Sequence, residues 1–539
     1  MLRRNKLHLP NTLPPARERS PHMRACETFF RELGILAVTF DDVASQDLDA
    51  TLRTGYSEVM PDQVSVRSLF TRNAPLGIPI ASAAMDRVTD HKLAIALAMW
   101  GGGGIGVIHR NFSIEAQVRE VARVKYQIHG GPIKNPRCVH QDQTLEAILK
   151  WREEKGFPFH SFPVIDENGV FVGLLTHEHF KFSVDLTLHA RDVMTKREEA
   201  RTGNHNDTPQ DAFNLMKTLR KGVLPILDPE GRVMELYVFN NLKDKRLGKF
   251  KDYNTDGQGR LRVAAAVGVG EAELRRVDAL VEAATDVIVV DTAHADSKPV
   301  IEMLRAIKRA YPHTDVMVGN VSEEDSTKRL CDEGADGVKV NQGTGGICTT
   351  RVVAGIGTAA LTAINDCAMA AEPYGAPICA DGGIRYSGDI AKAIGAGAHS
   401  VMIGGIFAGT DEAPGEKVFM EKEGRYYKEY RGMGSIGAMR ENEGSRARYR
   451  QGSQNLVPEG VEGFIPYRGS LADVLIQYVG GLRIAMGYVG AATIEELRQK
   501  ANFRLLTSAG RKESHPHDVV IIKEAPNYFP EEQVSGEER

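Results

Sequence analysis

Eight short runs of consecutive apolar residues constrain this chain more than any other feature. They lie at 78–82, 105–109, 262–267, 286–291, 315–319, 337–341, 377–381 and 400–404. A strand that is apolar on both faces is covered on both sides, which points to a parallel sheet under helices. Helix-length segments separate most of these runs, at 90–99, 114–126, 271–284, 298–311, 324–333, 351–371 and 388–394. Eight βα units close into a (β/α)8 barrel or open into a doubly wound sheet, and periodicity alone does not choose between them.

The alternation breaks once, between 126 and 262. That segment carries an internal repeat, FPVIDENGVFVGLLTHEHF at 162–180 and LPILDPEGRVMELYVFNNL at 224–242. Each copy reads strand, acidic turn with glycine, strand. A helical stretch precedes each, at 145–155 and 209–219. Two tandem βαβ-like units read as one compact module inserted in a loop. A second irregular stretch, 409–469, is rich in Gly, Arg and Glu; so long a loop within a domain is a functional lid or disordered.

A formal net charge of −4 over 539 residues gives no global basic field to call for nucleic acid or an anionic membrane. Six cysteines without CxxC or zinc spacing fit a reducing, cytoplasmic compartment. No apolar run reaches the ~18 residues of a membrane helix. The basic N-terminal stretch has no apolar core, which argues against a secretory signal; a transit peptide is the alternative to the preferred reading of residues 1–30 as a disordered arm.

Catalytic groups of a barrel collect at the carboxyl ends of its strands. Those ends read SAAMD (82–86), DTAHADS (291–297), GN (319–320), NQGTGGICTT (341–350), DGG (381–383) and GG (404–405). In GTGGICTT the glycines let backbone N–H groups converge on one ligand, and Cys348 opens the following helix, where a thiolate is stabilised. Cys138, Cys331, Cys367 and Cys379 have no such setting and read as inert. The pairs Gly382–Gly383 and Gly404–Gly405 follow strands seven and eight, where barrels bind phosphate or simply pack helix on strand. Asp381 is an acceptor for a sugar diol or a structural carboxylate. Two GxGxxG matches, 101–106 and 432–437, lack the strand–turn–helix context of a dinucleotide fingerprint, so no Rossmann domain is assigned. His515 and His517 form an HxH without a third ligand and read as non-metal.

Taken in order, TFDDV (39–43), GYSEVMPDQV (55–64), IASAAMDRVTD (80–90), GGIGVIHRN (103–111), GTGGICTTR (343–351), ADGGI (380–384), GTDEAPGE (409–416), YRGMGS (430–435), RY (448–449) and PEGVEG (458–463) resemble the inosine 5′-monophosphate (IMP) dehydrogenase / GMP reductase family over nearly the whole chain. The resemblance implies an α/β fold, a (β/α)8 TIM barrel with an inserted pair of CBS units (a Bateman module). The implied domains are an arm at 1–30, barrel at 31–128, CBS pair at 129–256, barrel again at 257–524 with a catalytic flap at 409–469, and a tail at 525–539.

The resemblance also implies roles. Cys348 attacks C2 of the hypoxanthine, hydride passes to NAD, and a covalent thioimidate remains. Arg448 with Tyr449 activates water to release xanthosine 5′-monophosphate (XMP), and Thr350 with Glu459 offers a second water-activating route. Met85, Gly346, Asp381, Gly383, Gly404, Gly405, Tyr430, Met433 and Gly434 bind the substrate, Asp381 at the ribose. Asp291 and Asn320 hold the nicotinamide riboside. Carbonyls of Gly343, Gly345 and Cys348 bind a monovalent cation such as K+, completed by Glu513, Ser514 and His515 of a neighbouring subunit. That sharing implies a homotetramer, with octamers through the CBS modules as the larger assembly.

The sequence departs from the family at informative places. Gly346 and Gly405 stand where the family carries serines that bond the substrate phosphate, and losing such bonds to a dianion costs roughly 1.5–3 kcal/mol each. Asn341 replaces a glycine, residues 294–297 read HADS for HGHS, and residues 44–53 add length before YSE. The module's repeats end in His179 and Asn241 where a ribose-binding Asp is usual, which argues against an adenine or guanine nucleotide there and for a structural module. Three readings remain open on sequence: an NAD-dependent IMP dehydrogenase, a related oxidoreductase for another purine-type nucleotide, and a non-catalytic nucleotide-binding protein.

Overall fold

The structure is a computed structural model that describes residues 38–39, 48–127, 133–157, 159–239, 242–243, 253–452, 455–523 and 525–528. The expected N-terminal arm, the added residues 44–47, most of the C-terminal tail and Asn241 lie outside them.

Eight parallel strands close into a barrel: β1 (Ile80–Ser82), β2 (Ile105–Ile108), β3 (Val263–Val267), β4 (Val287–Asp291), β5 (Asp315–Val321), β6 (Gly337–Val340), β7 (Ile378–Asp381) and β8 (Ser400–Ile403). Each matches one apolar run within a residue or two at either end. Closure follows from β8 pairing β1, with Val401 opposite Ile80. The two-faced apolarity has a direct cause. Ala81, Ile105, Val107, Ala264, Ala266, Val287, Val289, Met317, Cys379 and Met402 point inward and fill the barrel. Their neighbours Ile80, Ile108, Ala265, Ile288, Val290, Val316, Val318, Val338, Ala380 and Val401 point outward under the helices. Phe70, Ala74 and Leu76 of the hairpin Ser68–Thr71/Ala74–Leu76 join the inner cluster and plug the amino-terminal mouth.

The surrounding helices are α1 (His91–Ala98), α2 (Ile114–Lys125), α3 (Glu271–Glu282), α4 (Lys298–Ala310), α5 (Glu324–Asp332), α6 (Ala360–Ala371), α7 (Ser387–Gly395) and α8 (Leu471–Val489). One differs from its sequence expectation. The segment 351–371 is not a single helix: a short turn of helix, Thr350–Val353, stops, and α6 begins at Ala360. Gly355 and Gly357 take φ of +67° and +141° between them, which a continuous helix excludes.

The insertion folds as two similar halves. One sheet orders Thr195–Lys196, Phe171–Leu175, Phe162–Ile165 and Val139–His140; the other orders Gly203–Asn204, Val223–Leu227, Val233–Val238 and Ile133–Lys134. Its two ends lie side by side: Lys125 Nζ at the end of α2 contacts Asp256 Oδ2 at 3.0 Å. His179 is turned back on its own helix, its Nδ1 accepting from the Thr176 N–H at 2.9 Å, so it caps a helix instead of facing out.

Candidate active site

The carboxyl ends of the strands open into one cavity of about 590 Å³. Met85 follows β1; Asp291 ends β4; Asn320 lies in β5; residues 341–350 follow β6; Asp381, Gly382 and Gly383 end β7; Gly404 and Gly405 follow β8. Tyr430, Met433, Arg448, Tyr449 and Glu459, from the long segment after β8, close over it. The structure therefore brings together the expected catalytic, substrate and cofactor residues, Gly434 included through its contact with Tyr449.

Cys348 sits in a loop pinned on two sides. Its N–H donates to the Gly345 carbonyl at 2.9 Å, and it bridges antiparallel to Gly460. Thr349 N–H donates to the Glu459 carbonyl (3.0 Å) and Val461 N–H to the Ile347 carbonyl (3.1 Å), so the PEGVEG segment is laced to the cysteine loop by backbone. The result is a chain of polar atoms: Cys348 Sγ lies 3.1 Å from Thr350 Oγ1, which donates to Glu459 Oε2 at 2.9 Å. A proton leaving the sulfur, or a water beside it, has a path that ends on a carboxylate. The expected long helix behind Cys348 is replaced by the short Thr350–Val353 turn, so the loop lacing, not a long helix dipole, orients the sulfur.

A second network spans the other wall. Lys339, charged within the otherwise apolar β6, is buried and reaches Asp291 Oδ1 (2.8 Å), Asp381 Oδ2 (2.7 Å) and Asn320 Oδ1 (2.5 Å). Asn320 Nδ2 also donates to Asp381 Oδ2 at 3.0 Å. Burial opposes charge on Lys339, but Asp291 and Asp381 outweigh it and raise the ammonium above its usual range. Sequence reasoning passed over Lys339, although a lysine in GVKV is the signal of a buried, paired charge.

Arg448 makes an ion pair with Asp291. Burial opposes charge on both, yet the pairing wins: the guanidinium rises above its ordinary range, and Asp291, facing Arg448 and Lys339, falls well below the carboxylate range. Burial pushes the Tyr449 phenol up to about 12. The segment Glu443–Arg448 is held down by Ala293 N–H to the Arg448 carbonyl (3.2 Å), Arg450 Nη2 to the His294 carbonyl (2.9 Å) and Asn111 Nδ2 to Ser445 Oγ (3.0 Å). In this closed arrangement Arg448 occupies the carboxylate expected to hold the nicotinamide riboside.

Gly383, Gly404 and Tyr430, expected at the substrate phosphate, all line the cavity. Gly382 and Gly383 take φ of +82° and +80°, which turns the backbone tightly into the cavity. A Cβ at Gly346 would meet nothing within 4 Å, and one at Gly405 would lie 3.3 Å from Ile465 Cδ1. Neither glycine is forced by a backbone neighbour. Within the one chain Glu513 and Ser514 lie in the helix Ser508–Ser514, and His515 Nδ1 is 3.2 Å from Tyr528 Oη, its ring 6.1 Å from that of Tyr386.

The family model of the IMP dehydrogenase / GMP reductase domain matches residues 37–517. The chain is 47% identical to inosine-5′-monophosphate dehydrogenase of Aquifex aeolicus over 494 residues, 91% of this chain and 97% of that one. It is 45% identical to the enzyme of the same name from Halalkalibacterium halodurans, across 93% and 99% of the two chains. Among solved structures, GMP reductase from Trypanosoma brucei in complex with guanosine 5′-monophosphate superposes with a TM-score of 0.72 at 35% identity, covering 91% of this chain and 100% of that one.

Proposed function

Because the chain belongs to the IMP dehydrogenase / GMP reductase family, we propose that it oxidises IMP to XMP with NAD, a step of guanine nucleotide synthesis. The observation that carries the reading is the Cys348–Thr350–Glu459 chain facing a cavity whose opposite wall presents Asp381 and Asn320.

Cys348, as thiolate, adds to C2 of the hypoxanthine. The C2 hydrogen departs with its electron pair, leaving a thioimidate between Sγ and C2. NAD, when bound, supplies the hydride acceptor. The buried Asp291 and the Asn320 amide, both lining the same cavity, would hold the hydroxyl groups of its ribose. Water then adds to C2, gives up one proton, and the thiolate leaves with XMP released. We assign that proton to Thr350 and Glu459, whose hydrogen bond already points away from the sulfur. Arg448, held charged by Asp291, and the protonated Tyr449 supply positive charge and a hydroxyl to the attacking water rather than a base.

Lys339 fixes Asp381 for the ribose hydroxyls; Tyr430, Gly383, Gly404, Met85, Met433, Gly346 and Gly405 line the space for the nucleotide, with Gly434 behind them against Tyr449. The carbonyls of Gly343, Gly345 and Cys348 lie in one tight loop, and backbone carbonyls are suited to a weakly hydrated monovalent ion such as K+. Glu513, Ser514 and His515 would complete that site from a neighbouring subunit of a homotetramer. The insertion, 129–256, is assigned as a CBS pair with a structural role, because His179 is committed to its helix cap. The intact sulfur relay speaks against a non-catalytic protein. The test is NADH formation from IMP, NAD and K+, with Cys348→Ala as the silent control; a wild type inactive on IMP overturns the reading.

A further inference from the structure

Arg110, directly after β2, is a buried cation that the reaction derived above leaves unused. Its side chain is 3% exposed. The guanidinium lies against the end of β3, where a Cβ on Gly268 would come within 1.8 Å of Nη1, so the glycine leaves room for it in this position. Glu273 is the one acid within ion-pair reach among the described residues, at 4.0 Å. That acid is already engaged, accepting from Gly268 N–H at 2.6 Å and from Arg276 Nε at 3.2 Å. Arg110 Nη2 has no hydrogen-bond partner among the described residues. Burial pulls its pKa down; Glu273 and Asp291 oppose this, while Arg448 and Arg276 add to it.

A desolvated cation so poorly paired is expensive unless a ligand completes it. Its place in the fold says which ligand. Strands β2, β3 and β4 are consecutive in the barrel, and the last ends on Asp291. The flap segment Glu443–Arg448 rests directly on Arg110: a Cβ at Gly444 would lie 3.0 Å from the Arg110 carbonyl, and Ser445 bonds the adjacent Asn111. Because one segment carries both contacts, any displacement of it would take Arg448 from Asp291 and uncover Arg110 together. The ligand that needs Asp291 free is the one that finds Arg110 exposed beside it.

We propose that Arg110 receives the pyrophosphate of the dinucleotide whose nicotinamide riboside sits at Asp291 and Asn320. This rests on the reading of NAD at those residues. A planar guanidinium binds phosphate oxygens in a fork, and it replaces the charge that leaves with Arg448. Arg110 is thus a binding residue for the cofactor, set apart from the substrate nucleotide.

The test is calorimetric titration of ADP-ribose, which carries the pyrophosphate but no nicotinamide, and separately of IMP, into the full chain and into Arg110→Gln and Arg110→Lys. The expected result is an ADP-ribose Kd raised about tenfold in Arg110→Gln, partly restored in Arg110→Lys, with the IMP Kd unchanged. In turnover, the KM for NAD rises and kcat stays within about twofold. Unchanged ADP-ribose affinity in Arg110→Gln, or equal weakening of ADP-ribose and IMP, overturns the proposal while leaving the NAD site intact. A wild type that binds neither ADP-ribose nor NAD overturns the underlying reading instead.

Discussion

An added Cβ at Gly346 would meet no atom within 4 Å, so a serine side chain fits there, and on the proposed reading its hydroxyl would reach the substrate phosphate. Gly346→Ser is therefore expected to lower the KM for IMP about tenfold, in line with ~1.5 kcal/mol for a bond to a charged group, with kcat little changed. Steady-state kinetics check this; a raised KM would mean the glycine is needed. His109 carries a pH dependence. Burial pushes its imidazole down to about 4, and its Nδ1 accepts the Asn111 N–H at 3.1 Å, so it is neutral in the folded protein. The unfolded chain binds a proton near 6.5 that the folded one refuses. Stability is therefore full above that value and is lost as pH falls toward 4, by on the order of 3 kcal/mol from this group. Denaturant titrations across that window should show a shallower slope in His109→Asn. The motifs singled out Cys348, Arg448 and Tyr449, and the structure lines one cavity with all three. Lys339 was not, because a lone lysine among valines is visible but its partners, Asp291, Asp381 and Asn320, come from three other strands.

At the level of elements, the strands were readable because burial on both faces leaves no polar alternation to confuse them. The helix after the cysteine was misread as continuous: propensity over 351–371 is good, and the interruption lies in two glycines whose positive φ only the loop packing requires. The flap segment Glu443–Arg448 offers a test of closure. Gly444→Ala raises helix propensity by about 1 kcal/mol, which favours that helix. It also sets a methyl 3.0 Å from the Arg110 carbonyl and Asn111 Oδ1, which opposes docking. Backbone neighbours yield little, so docking should lose. Rapid-quench kinetics are expected to show hydride transfer unchanged and adduct hydrolysis slowed several-fold; equal slowing of both steps would show that closure is not specific to hydrolysis.

For the molecule as a whole, the barrel closes through β8–β1 pairing and keeps its own inner and outer apolar clusters, separate from those of the insertion. Since Lys125 and Asp256 touch at the insertion's root, replacing residues 129–252 by a few glycines should leave the barrel folded and kcat within a few-fold. Circular dichroism and turnover of that variant check it; an insoluble or inactive product would make the insertion part of the barrel's fold. The account rests most heavily on covalent chemistry at one sulfur. Intact-protein mass spectrometry of samples acid-quenched during turnover with IMP and NAD tests it directly. The expected spectrum shows a nucleotide-sized increment that maps to Cys348, decays with XMP release, and is missing from Cys348→Ala. NADH produced at full rate with no increment on any cysteine, or an increment that persists in Cys348→Ala, would contradict it.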